Sequence, residues 1–462
     1  MTTEEFNAWL TTPSVVRVLL LELEHSTGTE YVSNYGYIGE PVTRDNQHRQ
    51  YEPVLAEAIE ISDRLDGEFS VGDLTLVNDG LLDTWRTLKW QGYSVKGYLG
   101  ASDWSREDFQ QVLLSTNAGI VRAEDGEIVF GIQDARAQLD APLITETVNG
   151  AGAPVVFGQV FNISPVLEDA ATLLYKVSAF SLTSLDAADR GNPAFAETID
   201  LANGEFTATA SPVGAVTANA TGESTTAAGI ASEIAALYGL STDSDSLNTL
   251  PTWTIGLFYS DGTSTTGADV LDDICASIGG YWRIDNLNRL QVFVLSLPAL
   301  GSLTLLADDI ERGTLELTSV QPPLSQISVR YSRNFTPMQP ADLASEITLG
   351  TTIYQSLQEE WKAETLNPTL TGYAVAPKKQ FDTALVNQVD ALMRAQNIEA
   401  IRVKERNVWE FTAFAPGLQI QAGDTVFLQH DNWPEFSAGR WVKVLVNVRN
   451  LTGENCELEV WF

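Results

Sequence analysis

Val442-Lys-Val-Leu-Val-Asn-Val-Arg449 is the stretch that decides the fold class of this chain. Valine stands at every second position, which is the period of a strand that buries one face. After the turn-rich residues 451–455, the same period continues in Cys456-Glu-Leu-Glu-Val-Trp-Phe462. The two runs predict a β-hairpin. Because the alternation includes Phe462, we expect the C-terminal end of the sequence to lie in a sheet.

Strand signals of the same kind fill the first third of the sequence. Apolar and polar side chains alternate in residues 59–62 and 70–78. Two further apolar runs flank Asp125-Gly126, a dipeptide that suits the positive φ angles of a tight hairpin turn. Residues 1–145 are therefore predicted to form one β-barrel or sandwich.

Changes in composition divide the rest of the chain. The Gly-rich residues 146–155 are typical of a linker or crossover. A Gly-Asp turn leads into an alternating strand at Gly72 and again at Gly423, which favours two barrels of similar build. The prediction is a multidomain, mainly β fold with small α elements, in which mixed α+β domains join two β-barrel-like domains. The predicted ranges are 1–145 for the N-terminal barrel-like domain, 146–250 for a mixed α+β domain, 251–325 for a small α+β domain, and 326–462 for a C-terminal barrel-like domain with a helical insertion near 355–397.

Three short helices are predicted from apolar stripes with the helical period. The stripes are Ile230, Ile234 and Leu237; Leu271, Ile274, Cys275 and Ile278; and Leu385, Val389, Leu392 and Met393 within residues 381–397. Thr266 and Asp269 form an approximate capping box before the second helix, and Gly279-Gly280 ends it. Residues 206–226, which are rich in small side chains, fit either a flexible loop or a β segment.

The charge of the chain limits the ligands that it can bind. Of 462 residues, 61 are acidic and 27 are basic, which gives a formal net charge of −34 at pH 7. Only Arg402-Val-Lys-Glu-Arg406 groups basic residues, so stable nucleic-acid binding is not expected. Such a charge keeps subunits apart until specific contacts form, although a merely acidic surface explains it equally well. No run reaches the roughly 18–20 apolar residues of a transmembrane segment, so none is predicted.

Cysteine and histidine are too few and too scattered to predict a metal site or a disulfide. Cys275 and Cys456 stand among apolar positions and are expected to be small core residues. His25, His48 and His430 lie in polar, loop-like segments without metal-binding spacing, and we expect them to be exposed. No metal and no cofactor is predicted.

Catalytic motifs are equally absent from the sequence, which contains neither a nucleophile elbow nor a Gly-rich phosphate loop. Glu359 and Glu360 precede Trp361 on an expected helix and fit a solvated helix face. Asp243 and Asp245 lack the Gly and the final Glu of an EF-hand loop. No catalytic residue is assigned, and the chain is predicted not to be an enzyme.

Several short patterns occur in a fixed order along the chain. An N-x-G-x-x-D pattern ends the strand of residues 70–78, and W-x-G-x-x-V-x-x-x-x-G follows it; later come a Gly-Gly-Tyr-Trp segment and a Gly-Asp turn. The residues that carry these patterns are Asn78, Gly80, Asp83, Trp90, Gly92, Gly100, Gly279, Gly280, Trp282, Gly423 and Asp424. The order resembles that of tail hub proteins (baseplate hub or tail tip) of long-tailed bacteriophages. All of these residues are expected to be structural, as turn formers, aromatic anchors or close-packed glycines.

The resemblance implies a structural protein of the virion, assembled in the host cytoplasm. In this family, trimers form a pseudo-sixfold ring at the end of the tail tube. The implied partners are a distal tail protein, the tape-measure protein, and tail fibre or tip proteins, and the implied role includes the passage of DNA and tape measure. Two scattered cysteines, Cys275 and Cys456, cannot supply the iron–sulfur site of some tail-tip proteins.

Two other function classes stay open. A tail-associated enzyme that degrades cell wall or polysaccharide would need a carboxylate pair, for which Glu359 and Glu360 are the residues to test. A carbohydrate-binding protein for receptor attachment would need exposed aromatic rings, such as Trp433 or Trp441, that stack on sugars.

Overall fold

The computed structural model describes residues 2–39, 49–57, 59–65, 69–124, 126–133, 135–193, 195–347 and 349–462. Asp125 of the predicted hairpin turn and His48 lie outside the described residues. The α-helices are α1 (Thr3–Leu10), α2 (Ala227–Leu237), α3 (Ser244–Asn248), α4 (Gly267–Ile278), α5 (Thr352–Gln358) and α6 (Gln388–Arg402). Short 3-10 helices cover Asp83–Thr87, Arg106–Asp108, Ala135–Asp140, Ala307–Asp309, Pro340–Asp342 and Ala415–Gln419.

Strands make up most of the regular structure. In the first part of the chain they are β1 (Val18–His25), β2 (Gly28–Ser33), β3 (Tyr37–Ile38), β4 (Gln50–Tyr51), β5 (Glu60–Arg64), β6 (Phe69–Val71), β7 (Leu74–Val77), β8 (Ser94–Gly100), β9 (Gln110–Glu124) and β10 (Glu127–Gln133). The middle contributes β11 (Thr147–Val148), β12 (Ala151–Gly152), β13 (Val155–Ile163), β14 (Val166–Asp169), β15 (Leu174–Lys176), β16 (Leu182–Asp189), β17 (Ala196–Asp200), β18 (Glu205–Ala208), β19 (Val216–Gly222), β20 (Ser241–Thr242), β21 (Gly256–Tyr259), β22 (Gly280–Ile284) and β23 (Arg289–Val294). The last part adds β24 (Leu303–Leu305), β25 (Glu316–Gln321), β26 (Gln326–Tyr331), β27 (Lys362–Leu366), β28 (Lys378–Asp382), β29 (Arg406–Ala413), β30 (Thr425–Leu428), β31 (Arg440–Asn450) and β32 (Cys456–Trp461).

The N-terminal segment builds a six-stranded antiparallel sheet in the order β2-β1-β8-β9-β10-β7. Two glycines of β8 pack closely against side chains of β9 and the residue before it. A Cβ at Gly97 would lie 2.9 Å from Leu113 Cβ, and a Cβ at Gly100 would lie 2.7 Å from the Phe109 ring. Larger residues there would push the neighbouring side chains out of the sheet. The predicted hairpin is confirmed, because β9 pairs with β10 and Gly126 has φ 92°.

The middle of the chain forms two four-stranded sheets and a small α/β layer. The sheets have the orders β16-β19-β13-β21 and β14-β15-β18-β17. Residues 206–226 lie partly in β18 and β19, so the strand alternative holds for much of this segment. Beside them, β20-β23-β22 form a three-stranded sheet with α4 against β22.

Helix α4 has the ends that the sequence predicts. The Thr266 hydroxyl accepts a hydrogen bond from Asp269 N at 3.2 Å, and the Asp269 carboxylate accepts one from Thr266 N at 2.9 Å. This capping box satisfies amide groups that the first turn leaves without helical partners. At the other end, Gly279 is left-handed, with φ 76°, and donates from its amide to Cys275 O at 2.8 Å.

The C-terminal segment builds an eight-stranded sheet whose main path is β24-β30-β31-β32-β29-β25. The predicted hairpin forms its centre, because β31 pairs antiparallel with β32. Strand β5, from the first part of the chain, pairs antiparallel with β31. Strand β6 pairs with β5 and so belongs to the same sheet. One apolar cluster accordingly joins Leu21 and Trp90 to Phe411 and Val444. The division into four domains stays a prediction, and β5 and β6 are the strands that connect its first and last parts.

The predicted fold class, multidomain and mainly β with small α elements, is confirmed. One helix boundary was wrong. The apolar stripe predicted a helix from Phe381, but residues Lys378–Asp382 form β28, which pairs parallel with β26, and α6 begins at Gln388. Phe381 lies opposite Val329 in that pairing, so an apolar residue that was assigned to the helix belongs to the sheet beneath it.

Candidate functional site

The Asn78–Asp83 motif is a side-chain-supported turn. Asn78 Oδ1 accepts hydrogen bonds from the amides of Gly80 and Leu82, each at 3.0 Å, and Asn78 Nδ2 donates to Asp83 Oδ1 at 2.9 Å. Gly80 has φ 105°, a conformation that side chains rarely adopt. These contacts explain the motif by backbone geometry alone.

Trp90 anchors an aromatic cluster under the N-terminal sheet. Its Nε1 donates to Trp85 O at 2.9 Å, and its ring lies 4.9 Å from that of Phe130 and 4.8 Å from that of His25. His25 is therefore buried, and the expectation that it is exposed was wrong, because the apolar contact with Trp90 outweighs its polar sequence context. Nearby, Gly92 has φ 84° and donates from its amide to Asn117 O at 2.8 Å.

The later motif residues surround the junction between α4 and the C-terminal sheet. Trp282 Nε1 donates to Asp272 Oδ1 of α4 at 2.6 Å. A Cβ at Gly280 would lie 2.1 Å from Phe293 O, and a Cβ at Gly423 would lie 2.4 Å from the Tyr281 hydroxyl. Asp424 Oδ2 accepts from Gln421 N at 2.8 Å and closes the turn before β30. Burial raises the pKa of the Asp424 carboxyl.

A buried ion pair fixes this junction. Arg283 on β22 donates to Asp63 on β5, to Gln291 Oε1 at 2.8 Å and to Ala422 O at 3.3 Å. Asp63 Oδ2 also accepts from Ala422 N at 3.0 Å. Both ionic side chains are 5% exposed. Three segments far apart in the sequence thus meet at one fully hydrogen-bonded charge pair.

Next to the ion pair, a cleft opens between the C-terminal sheet and the unit formed by α4, β28 and α6. It consists of two cavities, of about 660 and 200 Å³. Both are lined by Gly279, Leu295, Phe381, Arg394 and Leu445. The larger cavity also has Arg64, Asp382 and Glu459 in its wall, so it carries both signs of charge.

We call the smaller cavity the arginine pocket, because Arg394, Arg402 and Arg406 line it. None of its described lining residues is acidic. The remainder of the wall is Gln321 and the apolar residues Ile398, Ile401, Val408 and Trp461, with those that it shares with the larger cavity. The sequence analysis assigned no site here, although the short basic segment from Arg402 to Arg406 is a signal that could have found it.

The three guanidinium groups differ in their partners. Arg402 donates to Pro322 O at 3.0 Å. Arg406 donates to Ile401 O at 2.6 Å and to Ala400 O at 3.2 Å. Among the described residues, Arg394 has no hydrogen-bond or ion-pair partner. Its one cation–π contact there is with Phe381, whose ring centroid lies 5.9 Å from Arg394 Cζ. Burial without a nearby carboxylate lowers the pKa of Arg394 to about 10.

Glu359 and Glu360, the residues to test under the enzyme alternative, do not line this cleft. Helix α5 ends at Gln358, so the expectation that Glu359 and Glu360 lie on a helix was wrong. Glu360 lies 3.9 Å from Arg333 in the wall of a cavity of about 360 Å³ that also contains Tyr259 and Asp273. Tyr259 donates to Asp273 Oδ2 at 2.7 Å, and burial raises the pKa of Asp273. The Asp273 and Glu360 carboxylates thus face a tyrosine and an arginine of the protein itself.

The tryptophans considered for sugar binding and the two cysteines belong to the packing of the protein. Trp433 is half-buried and meets Trp409 edge-on at 4.9 Å, and Trp441 is half-buried and meets Phe427 at 5.2 Å. Cys275 and Cys456 are buried as expected, and burial raises the pKa of both thiols. Within the described part of the chain, His, Cys, Asp and Glu side chains form no group of three or more that could hold a metal ion.

The edge of the C-terminal sheet is the other unusual surface. All six residues of β25 are exposed, and in the described structure only β29 pairs with it. Leu317 is 44% exposed and Val320 is 48% exposed. A register shift after Leu317 places these residues opposite Trp409 and Asn407, two positions apart on β29, so both apolar side chains lie on the same face of the sheet.

Comparison with known proteins gives structural neighbours only. No family model and no curated protein sequence matches the chain. Among solved structures, the fold is similar to the 43 kDa tail protein of prophage MuSo2 from Shewanella oneidensis (10% identity, 96% of this chain and 98% of that chain, TM-score 0.45). It is also similar to a tail protein from Neisseria meningitidis MC58 (10%, 97% and 97%, TM-score 0.47) and to prophage tail protein gp18 from Listeria monocytogenes EGD-e (6%, 96% and 94%, TM-score 0.46).

All three of these neighbours are described as tail proteins. Among the described helices, none is long and apolar enough to cross a bilayer.

Proposed function

We propose that this chain is a structural protein of a phage tail, a hub that assembles as a trimeric ring between the tail tube and the tail tip or fibre. In the ring, the chain contacts a distal tail protein above and fibre or tip proteins below, and it lets DNA and tape-measure protein pass. It does this by shape and fit, without catalysis. Its place is the tip of the virion tail, after synthesis in the host cytoplasm.

The observation that carries the proposal is the open edge at β25. An exposed edge strand presents unpaired amide and carbonyl groups, and monomeric proteins normally protect such an edge with charge, proline or a covering element. Strand β25 begins with the charged Glu316 and ends before Pro322-Pro323, but between these ends Leu317 and Val320 expose two apolar side chains on one face of the strand. A second subunit that covers this edge would satisfy the backbone groups and bury both side chains.

The charge of the chain supports the same role. A ring of three chains, each with a formal charge of −34, attracts no polyanion to its lumen. DNA that passes through such a lumen is repelled by the wall and does not bind to it.

Mass photometry of the purified full chain tests the ring. We expect a species of about 151 kDa, three times the chain mass of 50.3 kDa. The double variant Leu317→Asp/Val320→Asp should have the mass of a monomer, because charges at the edge oppose its burial. The control Val213→Asp/Leu349→Asp changes two residues that are each 75% exposed and lie outside β25, and it should stay trimeric.

Electron microscopy of phage particles labelled with an antibody to this chain tests the location. Label at the distal end of the tail is expected. A wild-type chain that is monomeric at micromolar concentration, or label on the head or along the shaft, contradicts the proposal.

A further inference from the structure

The arginine pocket has an imbalance of charge that the rest of the molecule does not explain. The chain carries more than twice as many acidic as basic residues, 61 against 27, yet three arginines and no described acidic residue line this cavity. Like charges repel more strongly across a partly buried, low-dielectric space than they do in bulk solvent. A cavity with this lining therefore attracts an anion.

Among the described residues, Arg394 is the one arginine of this pocket that has no hydrogen-bond or ion-pair partner. Its side chain is buried, with 9% of the residue exposed, and its Nε has no hydrogen-bond partner among the described residues. Arg402 Nε is also buried without a partner. Guanidinium groups buried in proteins are normally paired with carboxylates or carbonyl groups, because desolvation of an unpaired charge is costly.

A structural role within the chain accounts for only part of this arrangement. Arg394 lies against the C-terminal end of α4, where a Cβ at Gly279 would be 2.3 Å from its Nη1, and a cation is favourable at a helix C-terminus. That attraction acts at exposed positions too and does not require burial of the side chain. The helix end therefore explains the orientation of Arg394 but leaves its Nε without a partner.

We infer that the arginine pocket binds a carboxylate that an acidic side chain of a second copy of this chain inserts. Guanidinium groups bind carboxylates with two parallel hydrogen bonds, which suits an Arg394 that keeps its donors free. The apolar walls at Ile398, Ile401 and Leu445 suit the methylene stem of such a side chain.

The position of the pocket favours a neighbouring subunit as the source, and this step rests on the proposed ring. Gln321 is both the last residue of β25 and part of the pocket wall. Arg406 and Val408 also line the pocket; both lie on β29 and pair with residues of β25. A subunit that covers the β25 edge therefore reaches the mouth of the pocket, and the acidic surface of the chain supplies carboxylates to fill it.

The first test measures assembly of the full chain by sedimentation over a range of concentrations. We expect Arg394→Met to raise the dissociation constant of the oligomer about 30-fold or more, as for loss of one partner of a buried charge pair. Arg394→Lys keeps the charge but loses the two-pronged geometry, and it should fall between Met and wild type. The control Arg312→Met removes an exposed arginine outside the pocket and should assemble like wild type.

The second test asks whether the carboxylate comes from the neighbour or from solution. Sodium butyrate is titrated while the side-chain NMR signal of Arg394 Nε is followed, with butylammonium chloride as the control for the apolar stem. In the monomeric Leu317→Asp/Val320→Asp chain, butyrate should shift the signal, because the pocket is vacant. In the wild-type oligomer, the same concentration should leave it unchanged, because a neighbour's carboxylate occupies the pocket.

The outcomes separate the two proposals. A wild-type chain that stays monomeric overturns the ring and the subunit as the source of the carboxylate. An oligomer that forms equally well with Arg394→Met leaves the ring intact and overturns the inference. Butyrate that shifts the Arg394 signal equally in the oligomer also overturns it, since the pocket would then take a free anion.

Discussion

Arg283 and Arg394 are both buried, 4% and 9% exposed, but their surroundings differ completely. Arg283 meets a carboxylate, a side-chain amide and a backbone carbonyl within its own chain. Arg394 meets the face of Phe381 and the end of α4, and no described carboxylate. The first arginine completes a contact inside the subunit, whereas the second is arranged for a contact that the isolated subunit does not contain. Burial alone therefore does not tell whether a charge serves folding or assembly.

Breaking the buried ion pair between Arg283 and Asp63 should have the largest effect on stability. Arg283→Met leaves Asp63 buried without its cation, and we expect the free energy of unfolding to fall by about 3–5 kcal/mol. Urea denaturation followed by circular dichroism measures this loss. The double variant Asp63→Asn/Arg283→Met should recover part of it, because neither position of the pair then carries a charge. A loss below about 1 kcal/mol in the single variant would mean that the pair is not essential at the junction.

A substitution at the C-terminal end of α4 should have the next largest effect on stability. Gly279→Ala combines a left-handed conformation, φ 76°, with a clash against the Arg394 guanidinium. A strained left-handed residue costs about 1–3 kcal/mol, and the clash should add to it. Gly313→Ala is the matched control, because φ is 90° there but a Cβ meets nothing within 4 Å. Thermal unfolding should rank Gly279→Ala as the less stable variant. Equal stabilities would show that the Arg394 side chain moves aside with no loss of stability.

Replacement of the unpaired arginine should act in the opposite direction on the isolated subunit. Arg394→Met removes a desolvated charge and leaves an apolar side chain among Phe381 and Ile398, so we expect the monomer to gain about 1 kcal/mol or more. The comparison is made in the Leu317→Asp/Val320→Asp background, so that assembly does not contribute. A less stable Arg394→Met monomer would indicate that the arginine serves α4 and not a partner.

An exposed ion pair should have the smallest effect on stability, and it serves as the reference for the buried arginines Arg283 and Arg394. Arg330 pairs with Asp382, whose side chain is 51% exposed. The hydrogen bond from Arg330 lowers the pKa of Asp382, so its stabilising effect is present above the ordinary aspartate pKa of 3.8 and is lost as the pH falls through the lowered value. After allowance for solvent screening, Asp382→Asn should cost less than about 1 kcal/mol at pH 7. Denaturation curves at pH 7 and at pH 2–3 should show this difference shrink, and a constant difference would exclude a role for the charge.

Local signals in the sequence identify many elements but few of the contacts between them. The alternation of residues 442–448 specifies β31, and Thr266, Asp269 and Gly279 specify both ends of α4, because each signal acts over only a few residues. The basic segment of Arg402 and Arg406 marks one wall of the arginine pocket. The start of α6 was misplaced and His25 was wrongly expected to be exposed, since β26 and Trp90, which decide those outcomes, are distant in the sequence.

By itself, the sequence determined the mainly β class, the final hairpin, the capped helix α4 and a strongly acidic surface, because period, caps and charge are properties of neighbouring residues. Only the tertiary structure decided that β5 joins β31, that Arg283 finds Asp63 and that Arg394 finds no carboxylate among the described residues. Those outcomes depend on which distant segments pack together, and the gain from long-range burial must exceed the entropy lost when the intervening chain is closed.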